Sequence, residues 1–594
     1  MIRLVPAAAL RFHYLLRWGL IFLALLLWVP HSLAGLPKRL VIAVDGVPFR
    51  DMQALQRGIT YKNSKNQVVH IQAFHRGYYP ASRMISTYPS ASDVAWTDVF
   101  HGRPLPGYQR TYYNCAANRK VVQNGVTTTM EYEHEMTWQE DSGFHRTMGY
   151  VRPLDAFKRE CKELAKHFLS ATNRGDVFYV LMRSTDDAQH LAGNILEMMV
   201  TLDEKVEAIR AEYRAREGRE LEVVLLSDHG NNHAGAGERV RVGAYLEHAG
   251  YRLSKSIDGP ADVVLPTAGI ETWVELHNHP LETEKLVELL SHLEGTDVVT
   301  GHIPGADEHF LVMNAKGERA EVRFDSSRGY AYKPVIGDPL GYAGVLRQLS
   351  EQHLLQPDGF ATAGTWEAAT LDHRYPLAPE RIVRGHTQVT QNPATIIISL
   401  NNKFVNASYL IKKGSEFVKF GGTHGGMDDL NCTGMLVNTI TPTHDTSTAR
   451  VAGLFGGFQG RRDYRSEEKG AEWIRAGTKA SDLHASLLVW TPRFAELPDD
   501  APLEIAVKKD SLFASSQRFR ITPETIARVN GTIPFAPGAV HGERSCKRTF
   551  SLPPNLKLEP QTEYRISGRL PGPHGERVFG MTFCTDAQGV PVGY

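Results

Sequence analysis

The stretch Leu221-Glu222-Val223-Val224-Leu225-Leu226-Ser227-Asp228-His229-Gly230 sets a nearly unbroken apolar run against an acid, an imidazole and a glycine. An apolar run of this length, without alternation, suits a strand covered on both faces of a parallel sheet. Two upstream stretches are built alike. Lys38-Arg39-Leu40-Val41-Ile42-Ala43-Val44 ends at Asp45-Gly46, and Val177-Phe178-Tyr179-Val180-Leu181-Met182 leads into Asp186-Asp187-Ala188-Gln189-His190. Helical patterns lie between them, over 154–169 and 195–216. Strands alternating with helices predict an α/β fold with a mostly parallel sheet flanked by helices. Ligands of such sheets bind beyond the C-terminal ends of the strands. The acids and histidines fall there.

Working outward, 594 residues are too many for one ordinary core, so two or three units are expected. Arg3, Arg11 and Arg17 precede the apolar run from Gly19 to Val29, and small residues follow up to Ala34. This pattern reads as an export signal over 1–34, with the mature chain periplasmic or extracellular. Residues 235–410 mix helical pieces such as 281–293 with Gly/Pro-rich loops, and Thr395–Leu400 reads as a late strand. The stretch is expected to complete the core and to carry an insertion over the site. Residues 490–500 read as a linker and 501–594 as a small β-rich accessory domain. Cys546 with Cys584 and Cys115 with Cys161 are candidate disulfides, which would leave Cys432 free; sequence alone does not set the pairing. Basic and acidic residues balance, which argues against a nucleic-acid duplex as partner. No nicotinamide fingerprint or ATP-binding loop occurs.

The polar clusters carry the chemistry. A helical turn puts Asp186 and His190 on one face, able to hold one metal ion. Asp228-His229 is a second candidate ligand pair, and Asp45 a further acid. Glycines around His424, in Gly421-Gly422-Thr423-His424-Gly425-Gly426, let the backbone turn closely about that ring. Ser86-Thr87-Tyr88-Pro89-Ser90-Ala91-Ser92-Asp93 offers hydroxyls near a helix start, where backbone N–H groups favour a phosphate. A plain helix cap explains the same residues.

Taken together, these motifs resemble the type I phosphodiesterase/nucleotide pyrophosphatase branch of the alkaline phosphatase superfamily, over about 37–490. The resemblance implies an alkaline phosphatase-like core. It implies two Zn2+ ions, one held by Asp186, His190 and His424, the other by Asp45, Asp228 and His229. It points to Thr87 as nucleophile, forming a phosphothreonine that is then hydrolysed; Ser90 and Ser92 are the next candidates, because Ser90 stands where the family has Asn. Asn114 is the nearest match to a phosphate-contacting Asn. The implied substrate is a small-molecule or lipid phosphate ester, a phosphodiester ahead of a phosphomonoester. A phosphoryl or phosphoethanolamine-type transferase is the alternative. Arg103, Arg110 and Arg119 are candidates for the positive charge that a monoester requires. The motif of sulfatases, Cys/Ser-x-Pro-x-Arg, is missing from the nucleophile segment. Residues 501–594 lie outside the resemblance and are expected to contact a membrane surface or glycan.

Overall fold

The computed structural model describes residues 35–63, 66–100, 104–122, 130–140, 152–171, 176–191, 195–235, 237–266, 269–305, 308–407 and 421–454, and beyond these chiefly strands between 470 and 592. The expected export signal and Arg103 lie outside the described residues, as do the side chains of Cys546 and Cys584.

A seven-stranded sheet is ordered Thr446–Ser447, Ser82–Ile85, Thr433–Asn438, Glu222–Leu226, Arg39–Val44, Val177–Met182, Trp138–Gln139. Only Thr433–Asn438 runs against the others. The three strands expected from their apolar runs are its centre. Arg39 is level with both Val177 and Glu222, so the three strands end together. That register brings Asp45, the turn after Met182 and Ser227-Asp228-His229 to one edge.

Both faces of the sheet are covered, which explains why the runs do not alternate. Leu40, Ile42 and Val44 pack under Phe157, Leu164, Met198 and Leu202 of the helices Pro153–Leu169 and Ile195–Glu217. Val41 and Ala43, one residue out of phase, meet Trp96, Val99 and Phe100 on the other face. Both helices match the sequence expectation. Each fully buried Val, Leu or Ile here contributes about 1.5–3 kcal/mol.

The second sheet departs from the sequence expectation. Where helical pieces and loops were expected over 235–410, nine strands pair in the order Arg252–Leu253, Asp262–Val264, Trp273–Asn278, Ile396–Leu400, Thr296–Ile303, His309–Asn314, Arg319–Asp325, Gly329–Ile336, Phe360–Ala361. All neighbours but the first two strands are antiparallel. The expected strand at 395–400 is present, as a central member of this sheet and not of the parallel one. Its partners escaped notice because half-covered antiparallel strands alternate: Arg319–Asp325 is buried only at Ala320 and Val322.

Towards the C-terminus the chain forms a four-stranded and a five-stranded sheet. Gly470–Ala476 pairs with His484–Thr491, which pairs with Ser545–Ser551. Residues 470–491, which the sequence reading grouped with the catalytic stretch, thus share a sheet with the C-terminal strands, and the expected linker begins inside a strand. The suggested Cys115–Cys161 disulfide is not formed: both are free. Cys161 packs into the core beside Leu164, whereas Cys115 is exposed at the turn after Thr111–Asn114.

Candidate active site

Four separated stretches deliver the six expected ligands to one place. Asp45 follows the central strand, and its backbone N–H donates to Met182 O (2.9 Å). Gly46 has φ 71°, and a Cβ there would lie 2.7 Å from Asp186 Oδ1, so only glycine lets this turn approach so closely. Gly46 N also donates to Asp228 Oδ1 (3.2 Å). The helix Ser184–His190 puts Asp186 and His190 one turn apart, with Asp186 Oδ2 3.1 Å from His190 Nε2. His424 Nε2 is 3.6 Å from the same oxygen. His229 Nε2 lies 3.4 Å from Asp45 Oδ1 and 3.3 Å from Asp228 Oδ2.

Each imidazole is held through its other nitrogen. Nδ1 donates to a backbone carbonyl in all three: His190 to Gly422 O (3.0 Å), His229 to Gly230 O (2.8 Å) and His424 to Ser90 O (2.9 Å). A carbonyl only accepts, so Nδ1 carries the hydrogen. Nε2 of each ring then faces the carboxylates, where it carries a proton in an ion pair or, once that proton is displaced, offers a lone pair to a metal ion shared with them.

Further features say the same. Among the described residues Asp186 Oδ1 and Asp228 Oδ2 are buried without a hydrogen-bond partner. Burial, then the neighbouring Asp45 charge, pushes the Asp228 carboxyl well above its ordinary range. At Asp186 burial opposes ionisation, yet the His190 and His424 rings outweigh it and hold that carboxyl well below its usual range. Asp45, Asp228 and His229 form one group of donor atoms within 4.8 Å of one another, and Asp186, His229 and His424 another. The carboxylate and imidazole donors fit divalent transition metals, zinc among them. The groups expected from sequence are thus brought together, with His229 reaching both and His190 beside Asp186.

The hydroxyl at this cluster is not Thr87. Thr87 Oγ1 is buried and donates to Pro89 O (2.7 Å), while Ser90 Oγ donates to Gly426 O (2.9 Å). Ser92 is the residue that arrives: its Oγ lies 3.2 Å from Asp45 Oδ1 and 3.0 Å from His229 Nε2. It opens the helix Ser92–Val99, where backbone N–H groups and the helix dipole favour an anion. A helix-start signal was available, since Ser92-Asp93 precedes the apolar turn Val94-Ala95-Trp96. Asn114 is also displaced from its expected role. Its Oδ1 accepts from Ala117 N (2.8 Å), closing the turn to Arg119–Val122.

Several supporting groups went unread in the sequence. Ser227 Oγ accepts from Val47 N and donates to His229 O, tying two ligand loops together. Thr185 Oγ1 donates to Asp45 O (2.6 Å), and Gln189 donates to Gly46 O (2.7 Å). Thr272, between two strands of the second region, donates to His424 O (2.7 Å) and accepts from Gly426 N (2.9 Å). Arg110 lies 3.7 Å from Asp93 Oδ2 and 3.6 Å from Glu133 Oε1, so acids already surround its charge.

The family model described as type I phosphodiesterase / nucleotide pyrophosphatase matches residues 65–338, a span that holds Ser92, Asp186, His190, Asp228 and His229. No curated protein matches the chain. Among solved structures, phosphonoacetate hydrolase from Sinorhizobium meliloti 1021 in complex with phosphonoformate aligns at 10% identity and TM-score 0.38, covering 70% of this chain and 94% of that one. The same enzyme with phosphonoacetate gives 10% identity and TM-score 0.36 over the same shares.

Proposed function

We propose, from the premise that this chain belongs to the alkaline phosphatase superfamily, that it hydrolyses phosphodiesters at a two-zinc site with Ser92 as the nucleophile. The chain is a metal-dependent phosphoric ester hydrolase; zinc, the diester and the serine are our finer reading. One observation carries it: Asp45, Asp186, Asp228, His229 and His424, from four separate stretches, converge in two groups of donor atoms within 4.8 Å of one another, and a helix-start hydroxyl lies 3.2 Å from one of them.

Bound by Asp45, Asp228 and His229, and by Asp186, His190 and His424, divalent cations would neutralise charge on the phosphoryl group and on the entering and leaving oxygens. The rest falls to the chain. Ser92 Oγ directs its hydrogen at Asp45 Oδ1, which leaves an oxygen lone pair free for phosphorus. The first turn of Ser92–Val99 supplies backbone N–H groups to the phosphate oxygens. Attack forms a Ser92–O–P bond and breaks the bond from phosphorus to the leaving oxygen, which departs as the alcohol with the proton given up by Ser92. Water then hydrolyses the phosphoserine and restores the hydroxyl. Ser227, Thr185 and Gln189 keep the ligand loops in place while charge moves.

The diester is favoured because Arg110 is engaged by Asp93 and Glu133, whereas a monoester dianion calls for additional positive charge. The basic, apolar and small-residue pattern of 1–34 supports action outside the cytoplasm. Among the described residues no helix is long and apolar enough to cross a membrane. We place the catalytic unit on the two sheets before residue 454, and the accessory unit on the strands from Gly470 onward. The deciding experiment compares kcat/KM of zinc-loaded protein on an aryl phosphate diester and monoester, with Ser92→Ala and Thr87→Ala alongside. Diester preference lost only in Ser92→Ala is expected. Monoester preference, or loss only in Thr87→Ala, overturns the corresponding part.

A further inference from the structure

The helix Ala378–Thr387 supplies none of the six ligands, yet it grips the chain on both sides of Ser92. Arg381, Arg384 and Gly385 are three and four residues apart, so they share one side of the helix. Ile382 and Val383 pack in the apolar cluster of the nine-stranded sheet, with Val312, Val322 and Tyr332. His386 Nε2 lies 2.8 Å from Thr300 Oγ1 of the same sheet. The helix is thereby fixed to the second sheet while it presents polar groups to the hydroxyl segment.

Arg381 is only 2% exposed, and among the described residues its hydrogen bonds all go to backbone carbonyls. Nε donates to Ser86 O (3.0 Å) and Nη2 to Thr87 O (3.1 Å), while Nη1 donates to Met427 O (2.8 Å) and Pro376 O (3.2 Å). Burying a guanidinium is costly, and an aliphatic side chain would fill the space without that cost. What the guanidinium adds is a planar fork of fixed donors. It holds the stretch that leads to Ser92 and the stretch that follows His424 in one geometry.

The same two stretches are also joined directly. Ser90 N donates to Gly425 O (3.2 Å), and His424 Nδ1 donates to Ser90 O (2.9 Å). One turn along the helix, Gly385 meets the backbone just after Thr87: a Cβ there would lie 2.3 Å from Tyr88 O. Alanine is the better residue for a helix interior, so it is this close approach that calls for glycine. Arg384 pairs with Asp98 near the C-terminal end of Ser92–Val99, Nη2 to Oδ1 at 2.5 Å and Nη1 to Oδ2 at 3.2 Å. The helix thus holds residues 86–88 before Ser92 and residue 98 after it.

We propose that Ala378–Thr387 is the element that sets the hydroxyl segment 86–92 against the ligand cluster, with Arg381 as its positioning residue. The inference rests on the hydrolase reading above and names what places the nucleophile. Ser92 Oγ acts only within reach of Asp45 and His229, and a misplacement of about 1 Å can cost on the order of 10²-fold in rate. Lysine at position 381 would keep the charge but not the fork, so it cannot hold both stretches at once.

The test uses the full-length, zinc-loaded protein and bis(4-nitrophenyl) phosphate, with kcat, KM, metal content and Tm measured for each variant. Assayed well below its Tm, Arg381→Lys should lose about tenfold or more in kcat, with KM within about twofold and both metals bound. Gly385→Ala should lose about fivefold in kcat. Gly344→Ala, in the helix Ala343–Glu351 where a Cβ meets nothing within 4 Å, should leave kcat and KM unchanged. A merely structural helix would lower Tm and spare the kcat of folded protein. Folded Arg381→Lys and Gly385→Ala with kcat within about twofold of wild type would overturn the proposal, as would an equal loss in Gly344→Ala. Either variant decides where the other fails to fold. If both fail, Arg384→Gln decides: it loses only the grip on Asp98, a fall of about threefold in kcat is expected, and an unchanged kcat overturns the proposal. Ser92→Ala separates this inference from the hydrolase reading. If Ser92→Ala is inactive while the helix variants keep full kcat, only the positioning role falls. If Ser92→Ala keeps full kcat while the helix variants lose it, only the Ser92 assignment falls, and the helix places another hydroxyl of the segment.

Discussion

The seven-stranded and nine-stranded sheets both reach the candidate site, but they bring different chemistry. The first brings charge that faces charge. Asp45, Asp186, Asp228 and His229 sit at or just beyond the ends of parallel strands, in a cluster of donor atoms that fits cations. The second brings support. Thr272 holds the loop of His424. A division of labour follows, with chemistry on the parallel sheet and positioning on the antiparallel one. It can be broken by measurement.

The largest expected effect is on the first sheet. Asp228→Asn should lower kcat by about 10³-fold or more and release close to one of two metal equivalents, because the carboxylate serves ligand and loop alike. A variant with full metal content and more than a tenth of wild-type kcat would remove Asp228 from the chemistry. Next comes the hydroxyl. Ser92→Ala should lose about 10³-fold in kcat with both metals still bound, as for removal of a nucleophile. Thr87→Ala should mainly lower stability, by about 1 kcal/mol, through loss of its bond to Pro89 O. Metal analysis and denaturant melts on the two variants read the contrast directly.

A smaller effect belongs to the second sheet. Thr272→Val removes the hydroxyl that joins His424 O to Gly426 N, and should weaken metal affinity or activity about 10- to 100-fold. A loss as deep as that of Asp228→Asn would make the antiparallel region a partner in the chemistry and blur the division. The smallest effect on rate comes from Glu160, on the helix packed behind the first sheet. Burial pushes its carboxyl from an ordinary 4.5 up to about 7. Between those pH values the folded chain keeps a proton that the unfolded chain has lost, so stability falls as pH rises. The cost is absent below pH 4.5 and complete above pH 7, at about 3 kcal/mol. Glu160→Gln should therefore raise Tm at pH 8 and change it little at pH 4.5. An equal shift at both would show that the carboxyl does not titrate in this window.

The same contrast explains what could be read in advance. Strands at 39–44, 177–182 and 222–226 were legible because both faces are buried and the apolar runs are continuous. The nine-stranded sheet was not, since alternating strands such as Arg319–Asp325 resemble polar loop in composition. The burial of Glu275 was invisible for a related reason: it looks like an ordinary solvent-facing strand residue until the sheet is covered. The C-terminal sheets claimed residues 470–491 through pairings nearly sixty residues away, which no local pattern encodes.

What the sequence by itself determined is the inventory of candidate ligands, the acids and histidines that follow apolar strands or sit among glycines, and, through the family their motifs resemble, the metal-dependent hydrolase reading. Those residues stand next to strong local signals, and the strand register carries them to one edge. Only the tertiary structure decided which hydroxyl meets them. Thr87, Ser90 and Ser92 lie within six positions of one another and differ little in chemistry. The turn before Ser92–Val99 directs two of them to backbone carbonyls and the third to Asp45 and His229. For the two serines that choice depends on partners 47 to 336 residues distant, at Asp45, His229 and Gly426, and a linear sequence does not display them.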